Sequence, residues 1–95
     1  MLSLDSPHDK QLQIAQRLKN LRLLQKLKQQ SVAERSGVSV SALKRFESTG
    51  EISFGNLTRI ALVLGALDDF DLLFKNENLG SIKDWNQPLP QRGRS

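Results

Sequence analysis

The chain has 95 residues, no cysteine, and 14 Lys/Arg against 10 Asp/Glu, a net charge of +4. A single compact domain is expected at this length, and the absence of cysteine excludes disulfides and thiolate metal sites, as suits a reducing cytoplasm. No apolar run approaches the roughly 20 residues of a membrane span, and the opening MLSLDSPHD lacks the basic-then-apolar order of a signal peptide.

In chain order, residues 1–9 read as a polar tail, 10–75 as the folded domain and 76–95 as a polar, flexible tail. Ser6-Pro7-His8-Asp9 offers a helix start, with a serine cap, proline at the first helical position and an acid three residues after the serine. The first helix runs to about Leu24, and Ile14, Leu18 and Leu21 form its apolar stripe, with Ala15 and Arg22 flanking it. A second helix is expected over 29–35, with Val32 and Ala33 at helical spacing. Gly37 marks the break, where glycine takes a positive φ without steric cost, and Val38 follows as a small apolar plug.

A third helix is expected over 40–47, capped by Ser39 and closed by Gly50. Leu43 and Phe46 define its buried side. Ser53 caps a fourth helix, whose stripe is Leu57, Ile60, Ala61 and Leu64 and whose stop is Gly65. Asp68 or Asp69 caps a fifth, with Phe70, Leu73 and Phe74 at helical spacing, as core or as the lining of a dimer interface. No strand pattern survives, so the fold class is all-α.

Charge and chemistry point one way. Residues 10–59 hold ten Lys/Arg against Glu34, Glu47 and Glu51, a local net charge of +7. A basic half raises affinity for a polyanion and steers its approach. The third helix leaves Ser39, Val40, Ser41, Lys44 and Arg45 outside its core stripe. These are short hydrogen-bonders, one small apolar group and two cations, a palette suited to base edges and phosphates. Arg45 suits guanine, whose two acceptors match its fork, and equally a phosphate. Val40 suits a thymine methyl or merely begins the helix, and Lys44 suits solvent or a phosphate rather than a base. No nucleophile–base set, metal cluster or phosphate loop is present, so neither an enzyme nor a cofactor is expected.

Arg22, Gln29, Ala33, Gly37, Val38, Leu43, Glu47, Leu57, Ala61 and Leu64, in this order and at these spacings, resemble the Cro/repressor-type (XRE) helix-turn-helix family. The resemblance covers about residues 14–74 and implies a five-helix domain that binds double-stranded DNA. It implies that Gln29 holds a phosphate and braces the recognition helix, and that Arg22 pairs with Glu47 inside the domain. Ser39, Val40, Ser41 and Arg45 fall where the family reads bases. Lys28 and Ser48 fall near phosphate-contact positions. Both Ser48 and Thr49 separate Glu47 from Gly50, where the family usually has one residue.

One recognition helix reads few base pairs, so a homodimer on a palindromic operator is implied, with a seam around residues 65–74. The segment LKRFESTGEISFGNLTRIALVLGALDDFDLLF is similar to small regulators encoded beside HipA-type kinases, which are HipB-like antitoxins that repress their own operon. That implies a HipA-like kinase toxin as partner. The alternatives are a stand-alone or phage-type repressor, or an interaction module whose main role is toxin neutralisation. Trp85, in the polar tail, either folds back on the fifth helix or anchors a partner.

Overall fold

The computed structural model describes residues 4–75. The segment 76–95, with Trp85, lies outside the described residues. Within them the chain is all-helical: α1 Pro7–Leu24, α2 Gln29–Ser36, α3 Val40–Thr49, α4 Phe54–Leu64 and a closing 3₁₀ helix Leu67–Leu72.

Each boundary follows from local chemistry. At the start of α1, the Ser6 hydroxyl accepts from Asp9 N–H while the Asp9 carboxylate accepts from Ser6 N–H, a reciprocal capping box ahead of Pro7. Helix α1 thus begins at Pro7, where the Ser6-Pro7-His8-Asp9 start puts it. The preceding Asp5 accepts from the Gln13 side-chain amide, at 2.8 Å, and pairs with Lys10. The Gln13 amide and the Lys10 ammonium together hold its carboxyl below the usual carboxylate range. Ser39 and Ser53 cap α3 and α4 by accepting from Ala42 N–H and Asn56 N–H. Gly37, Gly50 and Gly65 close α2, α3 and α4 in the left-handed conformation.

The core gathers Ala15 and Leu18 of α1, Val32 of α2, Val38 of the turn, Leu43 and Phe46 of α3, and Ile60, Ala61 and Leu64 of α4. The α2–turn–α3 unit leans on α1 and α4, so α3 buries one side and exposes the other. A side-chain bond from Gln25 Nε2 to Leu64 O, 2.8 Å, ties the C-terminal ends of α1 and α4 together.

Three expectations are corrected. The buried face of α1 is Ala15, Leu18 and Arg22, with Leu21 half-buried and Ile14 37% exposed. Arg22 must face inward to meet Glu47, and a helix that buries position 22 also buries 18 and 15, which turns Ile14 toward the rim. The fifth helix is 3₁₀, not α, and its N-cap is Ala66 rather than Asp68 or Asp69. None of its six residues is buried, so it lacks the packing that holds a short α-helix. Phe74 is not core: it is 98% exposed with φ 58°, beyond the end of the 3₁₀ helix. Phe70 is half-buried and meets Phe54 edge to face at 5.6 Å.

Candidate nucleic-acid interface

Helix α3 is cleanly divided into a buried and an exposed side. Leu43 and Phe46 are each 1% exposed, while Ser41, Lys44, Arg45 and Ser48 all lie on the exposed side. Val40 is half-buried at the boundary between the two sides. Ser39 is exposed, but its oxygen already accepts from Ala42 N–H, at 3.1 Å. Its hydroxyl hydrogen is still available to donate. The outer surface of α3 thus presents two cations and several hydroxyls, and no large apolar side chain needs cover there.

The inner side carries an ion pair. Arg22 Nε donates to Glu47 Oε2 at 2.7 Å and Arg22 Nη2 to Glu47 Oε1 at 2.9 Å, a fork-to-fork contact between α1 and α3. The remaining Nη1 donates to Leu27 O at 2.8 Å, in the α1–α2 connection. Gln29 Nε2 donates to Glu47 Oε1 at 2.8 Å. Four polar groups from α1, the α1–α2 connection, α2 and α3 therefore satisfy one another at a single point. They tie α3 to α1, to the α1–α2 connection and to the start of α2.

Gln29 opens α2 and is half-buried, so its side chain couples that helix terminus to α3. One Nε2 hydrogen goes to Glu47, and the amide has a second. Lys28 beside it is exposed and is the N-cap of α2, with no side-chain cap bond. The first rung of the helix ladder runs from Val32 N–H to Lys28 O. The N–H groups of Gln29, Gln30 and Ser31 precede that rung, and such groups favour an anion.

The outer side holds a contact the sequence reading did not anticipate. Arg45 Nε donates to Glu51 Oε1 at 3.0 Å, and Arg45 Nη2 donates to the same oxygen. Both side chains are exposed. Ser48 Oγ and Thr49 Oγ1 donate to Arg45 O at 3.2 and 2.7 Å, so the end of α3 is knitted back onto Arg45. Glu51 follows Gly50, just past the C-terminal end of α3. Its signal was an acid six residues past an arginine, readable only once the path of the chain there is known.

Among the described residues, no group of three or more His, Cys, Asp or Glu could hold a metal ion, and no helix is long and apolar enough to cross a membrane. The family model described as helix-turn-helix matches residues 18–70, more than half of the chain. No curated protein and no solved structure gives a significant match.

Proposed function

The chain belongs to the XRE-type helix-turn-helix family of DNA-binding transcriptional regulators, and on that premise we propose that it is a sequence-specific repressor whose α3 enters the major groove of a palindromic operator. The observation that carries this reading is the division of α3 into a buried apolar side and an exposed side bearing Ser41, Lys44, Arg45 and Ser48. In this arrangement Ser39, Val40, Ser41 and Arg45 meet base edges, while Lys28, Gln29, Lys44 and Ser48 meet phosphates. Phosphate contacts set register and base contacts set sequence. The bound protein represses by covering a promoter.

A homodimer on two half-sites is part of this reading. Its support is the exposed apolar surface of Leu62, Leu67, Leu72 and Phe74 at the end of α4 and around the 3₁₀ helix. The antitoxin role is a finer proposal, supported by the resemblance of residues 43–74 to HipB-like regulators. A HipA-like kinase encoded next to this chain, and its co-purification with it, would support that role; a neighbouring region without one favours a stand-alone repressor.

The test is DNA selection followed by titration. Duplexes enriched from a random pool should share a palindromic sequence, and affinity should fall with salt at a log–log slope of about −0.9 per phosphate neutralised. Arg45→Ala should relax one base position at a cost of about 1–3 kcal/mol. Lys44→Ala should weaken preferred and scrambled duplexes alike. A flat salt response with no enriched sequence would remove DNA reading as the function.

A further inference from the structure

We propose that Glu51 is a specificity-determining residue: it holds Arg45 by one edge of the guanidinium so that the other edge reads a guanine. The inference rests on the placement of α3 in the major groove argued above.

A guanidinium offers two forks, one formed by Nε and Nη2 and one by Nη1 and Nη2. Glu51 Oε1 accepts from Nε, at 3.0 Å, and from Nη2, which occupies the first fork. Nη2 keeps its second hydrogen, and Nη1 makes no hydrogen bond to the described residues. The terminal fork is therefore intact, and it is the one that can meet O6 and N7 of guanine end-on.

The carboxylate is delivered to this edge by a fixed turn. Glu51 N–H donates to Thr49 Oγ1 at 3.1 Å, and that hydroxyl donates to Arg45 O at 2.7 Å. Gly50 N–H donates to Phe46 O at 2.7 Å, and Gly50 O accepts from Gln11 Nε2 of α1 at 3.4 Å. Gly50 has φ 81°, and a Cβ there would lie 2.9 Å from Gln11 C. The turn is thus seated against α1 on one side and bonded to α3 on the other. Ser48 and Thr49 complete the last turn of α3, and Gly50 then turns the chain so that Glu51 comes back over Arg45.

The consequence is discrimination. An unsupported exposed arginine swings to whichever phosphate is in reach, and such a contact carries no sequence information. A carboxylate on its side fork cancels much of its charge and is itself repelled by phosphates, so binding to arbitrary DNA loses a cation. A guanine presented to the terminal fork still finds two donors already aligned, which lowers the ordering cost of the specific contact.

The preferred duplex selected by the wild-type chain, and a scrambled duplex of the same composition, would be titrated with wild type, Glu51→Gln, Arg45→Ala and the double variant at several salt concentrations. Wild type should select a guanine at one fixed position. Glu51→Gln should lower the preferred-to-scrambled affinity ratio about tenfold. On the scrambled duplex it should bind at least as tightly as wild type, with a salt slope steeper by about 0.9, one additional phosphate. In the Arg45→Ala background the same substitution should change the ratio by less than about twofold. Glu51→Gln should melt with wild type, which separates positioning from a structural role. A ratio unchanged by Glu51→Gln, or changed equally with and without Arg45, overturns the proposal. A wild-type chain that selects no sequence sinks the DNA-reading assignment and this inference with it; one that selects while Glu51→Gln behaves identically sinks the inference alone.

Discussion

Two arginine–glutamate pairs meet α3 from opposite sides, and they differ chiefly in burial. In the inner pair, the Arg22 and Glu47 side chains are 9% and 6% exposed. In the outer pair, Arg45 and Glu51 are 68% and 52% exposed. Both use two guanidinium nitrogens. The inner pair takes both carboxylate oxygens and is completed by Leu27 O and Gln29 Nε2, so its charges are matched where water does not reach. The outer pair uses one oxygen and leaves part of the guanidinium open to solvent. The same chemistry makes a frame when buried and an adjustable contact when exposed, because removal from water raises both the strength of the attraction and the cost of breaking it.

The largest effect is therefore expected on the inner side. Glu47→Ala strands the buried Arg22 charge and takes the partner of the half-buried Gln29 amide, at a cost of about 3–5 kcal/mol of stability. Denaturant unfolding followed by helicity should show the midpoint falling accordingly, with DNA binding lost because α3 is no longer held at its angle. If Glu47→Ala unfolds with wild type, the buried pair is not the frame and the contrast with Arg45–Glu51 collapses. Replacing both partners by Met and Leu should recover part of the loss, since no charge is then stranded. Recovery stays incomplete because Leu27 O and the Gln29 amide still lose their partners.

The next effect separates the turn that carries Glu51 from an ordinary helix end. Gly50 and Gly65 have nearly the same backbone, φ 81° and 80°, yet a Cβ at Gly50 would strike Gln11 at 2.9 Å while one at Gly65 meets nothing within 4 Å. Gly65→Ala should cost only the left-handed strain of an L-residue, about 1–2 kcal/mol. Gly50→Ala should cost that and about 1–3 kcal/mol of overpacking against the α1 backbone. Equal melting temperatures for the two variants would mean that the turn moves freely from α1, and Glu51 would then have no fixed seat.

What was legible in the sequence follows the range of the interactions. The serine caps, Pro7, the stop glycines and the Leu43/Phe46 stripe act within one or two helical turns, and each appears where local rules put it. Arg22 and Glu47 are 25 residues apart, so no local rule joins them; they were joined only through the family resemblance. The register of α1 was misread because its apolar pattern allows Ile14 or Ala15 to face inward, and the choice is made by a charged residue, Arg22. The last helix was misread because helical spacing of Phe70, Leu73 and Phe74 does not reveal whether a surface exists to bury them. Glu51 was passed over because its meeting with Arg45, six residues back, depends on how the chain turns at Gly50.

The smallest effect is expected where the outer pair is measured by stability rather than by recognition. An exposed ion pair contributes about 0–1 kcal/mol, since both partners are well solvated when apart. A double-mutant cycle of Arg45→Ala and Glu51→Gln, read by thermal unfolding, should therefore give a coupling below about 1 kcal/mol. It should shrink further near 1 M salt, where screening acts over about 3 Å. The cost of Glu47→Ala should persist at the same salt, because ions do not reach a buried pair. A large coupling at Arg45–Glu51 that survives salt would make it a second structural pair, and its influence on DNA would then follow from folding. A small, salt-sensitive coupling beside a large change in base preference is the pattern of a contact that orients a reading residue and does little else.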